Sequence, residues 1–399
     1  MSELALRFGT LHDGLGEPKR NGILLIASGR VAMLGDSESE IPSNARVIEA
    51  TCVIPGLINA HVHLEISGEA QTTSVFVLTT PAQRTLVAAE NARKSLAAGV
   101  TSVRDLGSTP SVSIDVRDAI AAGRIPGPSV VAAGQAICTT GGHGWFMGRE
   151  ADGDADVRKA VREQRRGGAD CIKFIATGGV LTKGAVPGIA QLSEAELRAG
   201  IEEAHAHGMT CAAHAIGANG IANALRAGID SIEHGHLIDA TGVALLIERD
   251  AYLVPTLAAL RCIVDAGDAA GMPDFVVRKG REIAVHAEEN LRRARAAGVR
   301  FAGGSDAGTP FNGHDGYAYE LELMQSMLGM SAAETLRAAT LAGAALLGLE
   351  RGTLAVGAAA DIVVLEHEIE SDARPFRNPP VVIKDGTIVV DRRSTATAR

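Results

Sequence analysis

Five times along the chain a helix-like stretch ends in a small residue and a glycine, and an apolar run begins at once. "AAGVTSVRDLG" turns at Gly99, "RGGADCIKFIATGG" at Gly168, "AHGMTCAAHAIG" at Gly208, "RAGIDSIEHG" at Gly228 and "AAGVRFAGGSDAG" at Gly298. Glycine just past a helix end supplies the left-handed turn that stops it. Nearly continuous apolar strands alternating with helices describe a parallel sheet covered on both faces. Strand-like segments fall near 54–62, 100–105, 128–136, 171–176, 210–215, 230–234, 252–257 and 300–305. Eight strands over roughly 290 residues predict a (β/α)8 TIM-like barrel rather than an open doubly wound sheet. "DVRKAVREQRRGG" and "SEAELRAGIEEAHAHG" carry apolar residues at helical spacing, and Ser193 with Glu196 forms a capping box.

The two ends read differently. Residues 3–8, 22–27, 30–34 and 46–49 resemble short strands between polar or glycine turns. The texture returns after residue 352, where Asp385-Gly386 joins two strands of a hairpin. A closed barrel brings its first strand beside its last, so both termini can build one small β-sandwich. The expected organisation is residues 1–56 and 351–399 in that β-sandwich, with 57–350 as the barrel.

Composition narrows the function. The formal charge is −9, with no dense Lys/Arg patch, which argues against nucleic acid as a partner. No apolar run is long enough to cross a bilayer, and "MSELALRFGTLHDG" lacks the pattern of a signal peptide. Five cysteines without a CxxC pair read as reduced thiols. The expectation is a cytoplasmic protein that acts on a small molecule, with its oligomeric state open.

Chemistry is expected at the C-terminal ends of barrel strands. Strand one ends "NAHVHLE", and His61 and His63, two apart, share one face of a strand. Strand four places Lys173 inside "CIKFIATGG", where a buried ammonium is costly unless neutralised or paired. His214 ends strand five, His234 strand six and Asp306 strand eight. Four imidazoles and a carboxylate suit a borderline divalent ion such as Zn²⁺. Each residue alone also fits a structural role, as a hydrogen-bonded core histidine or a turn aspartate; together, at five strand ends, they point to one site. The "AHAH" run ending at His207 closes a helix and is set aside as solvated surface.

"VIPGLINAHVHLE", the lysine of "CIKFIATGG", "CAAHAIG", "SIEHG", "GGSDAG" and "GTLAVGAAADIVVLE" together resemble the amidohydrolase superfamily of metal-dependent hydrolases. The resemblance implies a binuclear site and a Lys173 that has reacted with CO2 to give a bridging carbamate. His61, His63 and Asp306 would hold one metal and His214 and His234 the other, with a metal-bridging hydroxide as the attacking group. Asp306 would carry the proton to the leaving amine. Zn²⁺ leads among the metals, with Mn²⁺, Co²⁺ and Fe²⁺ as alternatives. Mononuclear deaminases of the superfamily lack the strand-four lysine, which ranks amide or ester hydrolysis above deamination.

"TTGGHGWFMGREADGDADVRKAVREQ" and "SIEHGHLID" are similar to a branch of dipeptidases and N-acyl amino acid hydrolases, with imidazolonepropionase-related members. The implied substrate is therefore a dipeptide or N-acyl amino acid. Lactams, other cyclic amides, esters and phosphoesters are the alternative, and a non-enzymatic scaffold a further one. His143, between glycines after strand three, reads as a group on the scissile carbonyl or a substrate carboxylate, or as a loop residue. His236 and Arg261 are further substrate-binding candidates, with a solvated loop as the alternative for Arg261. Trp145 reads equally as a stacking wall or loop packing, His314 stays undecided, and His286 and His367 read as surface.

Overall fold

The computed structural model describes residues 3–36, 41–369 and 373–393; residues 1–2 and 394–399, the outer ends of the expected terminal segments, lie outside the described residues. Four strands open the chain: β1 (Leu4–Leu11), β2 (Lys19–Ala27), β3 (Arg30–Gly35) and β4 (Arg46–Pro55). The expected strand 54–62 is divided at Gly56. A Cβ there would stand 2.2 Å from Thr101 Oγ1, so only glycine lets the chain pass this close to the barrel as it leaves β4.

Ten short strands follow: β5 (Leu57–Val62), β6 (Val100–Asp105), β7 (Ser129–Ala132), β8 (Ile137–Cys138), β9 (Arg149–Glu150), β10 (Cys171–Ile175), β11 (Thr210–Gly217), β12 (Ser231–Leu237), β13 (Tyr252–Val254) and β14 (Arg300–Phe301). They pair in parallel as β5-β6-β7 and as β14-β13-β12-β11-β10-β8-β9. The expected strand 128–136 breaks where Gly134 takes φ +66°. Before the break β7 lies on β6; after it Ile137 of β8 pairs with Phe174 of β10. One bent segment thus joins the two sheets, and Asp170 N donates to Ala132 O across the seam at 2.7 Å. On the opposite side Ala60 N donates to Gly303 O, Asp306 N to His61 O and His63 N to Ala307 O, each at 2.9 Å. With β7 and β8 counted as one and β9 left outside as an edge strand, eight strand positions close into the expected TIM-like barrel.

Two strands end early for local reasons. Pro255 has no N–H for a ladder and Thr256 turns left-handed at φ +47°, so β13 stops short of the expected 257. Beyond β14, residues 303–307 keep irregular bonds to β5. The helix Glu194–His205 starts with the Ser193/Glu196 capping box. Ile172, Phe174, Cys211, Ala213 and Ile232 belong to the core formed with the helices. No helix among the described residues is long and apolar enough to cross a membrane.

The chain ends in β15 (Ile362–Leu365), β16 (Val381–Lys384) and β17 (Thr387–Asp391). These join the first four strands in the order β17-β16-β15-β4-β1-β2-β3. Asp385 and Gly386, at φ +49° and +74°, form the expected hairpin turn. The seven-stranded sheet folds over its own core, where Leu6, Leu24, Ile26, Val53, Ile362 and Ile383 pack together.

Candidate active site

The strands' C-terminal ends place His61, His63, Lys173, His214, His234 and Asp306 around one cavity that opens to solvent. Each imidazole has one nitrogen held from behind. His61 Nδ1 bonds Glu233 Oε2 at 2.8 Å, and His63 Nδ1 bonds Gly107 O at 3.1 Å. His214 Nε2 donates to Gly178 O at 3.0 Å, and His234 Nδ1 pairs with Thr256 Oγ1 at 2.7 Å. A carbonyl or carboxylate behind a ring requires the N–H on that side, leaving a lone pair on the other nitrogen. The remaining nitrogens converge. His214 Nδ1 and His234 Nε2 are 2.9 Å apart, and Asp306 Oδ1 lies 3.3 Å from His61 Nε2 and 3.2 Å from His63 Nε2.

Asp306 Oδ1 is buried, yet no donor among the described residues meets it at hydrogen-bond geometry. Ligand atoms of His61, His234 and Asp306 all lie within 4.8 Å of one another. Inward-facing lone pairs beside an unsatisfied carboxylate fit a divalent cation in size and charge.

The electrostatics agree. Burial holds His61, His214 and His234 well below the ordinary imidazole value, so they are neutral at pH 7. Burial opposes a proton on His63, but Asp306 and Asp105 outweigh it and lift that pKa. Burial would raise Asp306; His61, His63 and Lys173 reverse this and keep it ionised. Burial pulls Lys173 down to about 8, only partly offset by Glu233 and Asp306, so an appreciable fraction of the amine is free of its proton near neutrality.

A buried network backs the site. Arg104 donates through Nε to Ala60 O at 2.8 Å and through Nη2 to Glu233 Oε1 at 2.9 Å. Glu233, whose other oxygen holds His61, also accepts from Ser231 Oγ at 2.6 Å. Sequence reasoning missed both Arg104 and Glu233. The signal for Arg104 was present: like Lys173, it is a charge inside an apolar strand, "VTSVRD".

Of the expected substrate contacts, His143 and His236 line the cavity. His143 Nδ1 pairs with Thr182 Oγ1 at 3.0 Å, and its ring stands 4.5 Å from that of His214. His236 Nε2 donates to Pro255 O at 2.9 Å, while its buried Nδ1 has no partner among the described residues. Arg261 is elsewhere: it lies on the helix Leu257–Ala266, paired with Asp265 one turn on. Trp145 is 46% exposed and packs edge-on against Phe146 outside the cavity. His314 is buried, with Nε2 donating to Ile66 O at 2.8 Å.

The model of the amidohydrolase family matches residues 52–389. The chain belongs to the amidohydrolase family. Ochratoxinase of Aspergillus niger is 31% identical over 413 residues, spanning 94% of this chain and 83% of that protein. The crystal structure of a Xaa-Pro dipeptidase with methionine in its active site superposes with a TM-score of 0.89 at 30% identity, covering 98% of this chain and 100% of that one. A prolidase bound to N-methylphosphonate-L-proline superposes at 0.88 and 30% identity, with 98% and 100% covered. Amidohydrolases with these names are hydrolytic enzymes, and this chain is an enzyme of the same family whose relatives support amide-bond hydrolysis of small molecules.

Proposed function

We propose that the chain hydrolyses the amide bond of a dipeptide or N-acyl amino acid, with two divalent ions in the cavity. The observation that carries this reading is the convergence of four imidazole nitrogens, each backed by a fixed partner, on Asp306 and Lys173. His61, His63 and Asp306 would hold one ion and His214 and His234 the second, with Zn²⁺ the first choice. Such ions bring the pKa of a bound water to about 7 and polarise a carbonyl.

The residues supply the rest. The partly deprotonated Lys173 Nζ attacks CO2; the N–C bond forms, one proton leaves, and a carbamate replaces the ammonium between the two groups of ligands. That removes the cost of a buried cation and adds an anion where cations are to sit. Asp306, ionised and 3.2–3.3 Å from two imidazoles, takes the proton of the attacking water. It passes that proton to the leaving nitrogen as the C–N bond breaks. His143, neutral because burial, Lys279 and Lys173 hold it down to about 3, and His236, also in the cavity lining, would meet the substrate's polar groups.

The test is to incubate zinc-loaded protein with pooled Xaa-Xaa dipeptides and N-acyl amino acids and to identify the amino acids released. Release of one class of amino acid names the pocket. No release from any pool, with two metals bound per chain, would replace this reading by hydrolysis of cyclic amides or esters. Lysine carboxylation is read separately, as a carbamate carbon signal after equilibration with ¹³C-bicarbonate.

A further inference from the structure

The segment between β10 and the helix Glu194–His205 borders the cavity, and residues 178–189 in it form neither helix nor strand. A surface segment of this length is ordinarily mobile. Here a second buried lysine holds it. Lys279, on the long helix Asp274–Ala296, is only 8% exposed. Its ammonium donates to Thr182 O at 2.7 Å, to Gly179 O at 3.2 Å, and to Ala185 O. Three donors thus meet three main-chain carbonyls of one segment, which satisfies the cation without a carboxylate. Around it lie the Phe275 ring, 5.3 Å away, and the apolar cluster of Ile263, Met272, Val276 and Val277.

The clamped segment reaches the cavity in two ways. Val180 and Leu181, between the first two clamped carbonyls, line it. Thr182 Oγ1 pairs with His143 Nδ1 at 3.0 Å and lies 3.2 Å from Gly144 N. His143 rests directly on the segment: a Cβ on Gly179 would stand 2.3 Å from its Nε2. The cavity lining also includes the aliphatic side chains of Ile66, Ile175, Ile216 and Leu260. Lys173 is the one Lys or Arg among the described residues lining this space.

We infer that Lys279 is a positioning residue that fixes the apolar wall of the substrate pocket, and that the group received there is bulky, uncharged and apolar. The inference rests on the hydrolase reading for its substrate but not for its test. Two hydroxamic acids, acetohydroxamic and phenylacetohydroxamic, share one metal-binding head and differ by a phenyl group. Their affinities for zinc-loaded protein are measured by calorimetry. The native protein is expected to favour the phenyl compound by at least about tenfold, the gain from burying an aryl group. Lys279→Met should lose most of that preference while acetohydroxamate binding, which depends chiefly on the metal-binding head, stays within about twofold. Hydrogen exchange over residues 178–190 should accelerate in the same variant.

An unchanged phenyl preference in Lys279→Met, equal weakening of both compounds, or no preference in the native protein would each overturn the inference. If Lys279→Met does not fold, Leu181→Ala takes its place. It should cut the phenyl preference by enlarging the wall, and an unaltered preference would equally overturn the inference. A preserved preference in native protein that releases no amino acid from dipeptides or N-acyl amino acids supports the wall and overturns the proposed substrate class instead.

Discussion

Lys173 and Glu233 show why a charged side chain is tolerated in an apolar barrel. Each is a buried charged group, and each can be tested by removing it. Lys173→Ala should lose most bound metal and nearly all activity; metal analysis showing two ions per chain with unchanged turnover would sink the carbamate. Glu233→Gln acts differently. It weakens the hold on His61 Nδ1, and losing such a partner typically lowers metal affinity 10- to 100-fold. It also leaves the Arg104 guanidinium, 1% exposed, without its counter-charge. Breaking a buried pair from one side costs about 3–5 kcal/mol, so the melting temperature should fall as well. Adding Arg104→Met should restore part of the stability but not the metal affinity. If the double variant is as unstable as the single one, the pair is not the source of the loss.

At the scale of elements, much of the site was legible because the barrel does the assembling. Once strands and their C-terminal ends are placed, His61, His63, His214, His234, Lys173 and Asp306 must meet, whatever the loops do. Residues outside that rule were harder to read. Arg261 was misplaced because β13 ends at Val254 and a helix starts at Leu257. That puts Arg261 on a helix, beside Asp265 four residues later, rather than on a loop over the site. Lys279 was invisible for another reason: in an amphipathic helix a lysine looks like solvated surface, and its three carbonyl partners are about 100 residues upstream.

The same helix Leu257–Ala266 carries a testable device. Thr256 gives its start no side-chain cap. Glu320, fully buried on the helix Tyr317–Ser326, accepts instead from Leu257 N at 3.0 Å and Ala258 N at 2.6 Å. Burial lifts Glu320 to about 8, against the pull of those two donors. The folded protein then keeps a proton that the unfolded chain has lost between the ordinary carboxyl value of 4.5 and about 8. Its contribution to stability is present below 4.5 and is lost as pH rises through about 8. Glu320→Gln removes that titration and leaves one amide donor poorly met, a cost of about 1–3 kcal/mol. Urea midpoints at the two ends of this window should therefore fall further in the native protein than in the variant. A variant with the same pH slope as the native protein would assign the slope to other groups.

Over the whole molecule, the barrel and the terminal sheet meet at Gly56, whose N–H donates to Asp361 O at 2.8 Å while Leu57 N donates to Gly99 O at 3.0 Å. Gly56→Ala pushes a methyl into Thr101 and should destabilise by about 1–3 kcal/mol, read as a lower denaturant midpoint. Gly56→Ala combined with Thr101→Ala, which removes both Oγ1 and Cγ2, should recover part of this if the overlap with Thr101 is the cause.

The pairing of β4 with β15, from Pro55 opposite Ile362 to Cys52 opposite Leu365, has a consequence for synthesis. The apolar edge Cys-Val-Ile-Pro of β4 leaves the ribosome long before its neighbour exists. That neighbour follows roughly 300 residues later, which at usual elongation speeds is about 15 to 60 s. Throughout that interval the nascent chain shows an open, hydrophobic strand edge of the kind that recruits other chains. A translating polysome is therefore where this protein is most exposed to aggregation, and a product cut off before residue 362 keeps that edge uncovered for good.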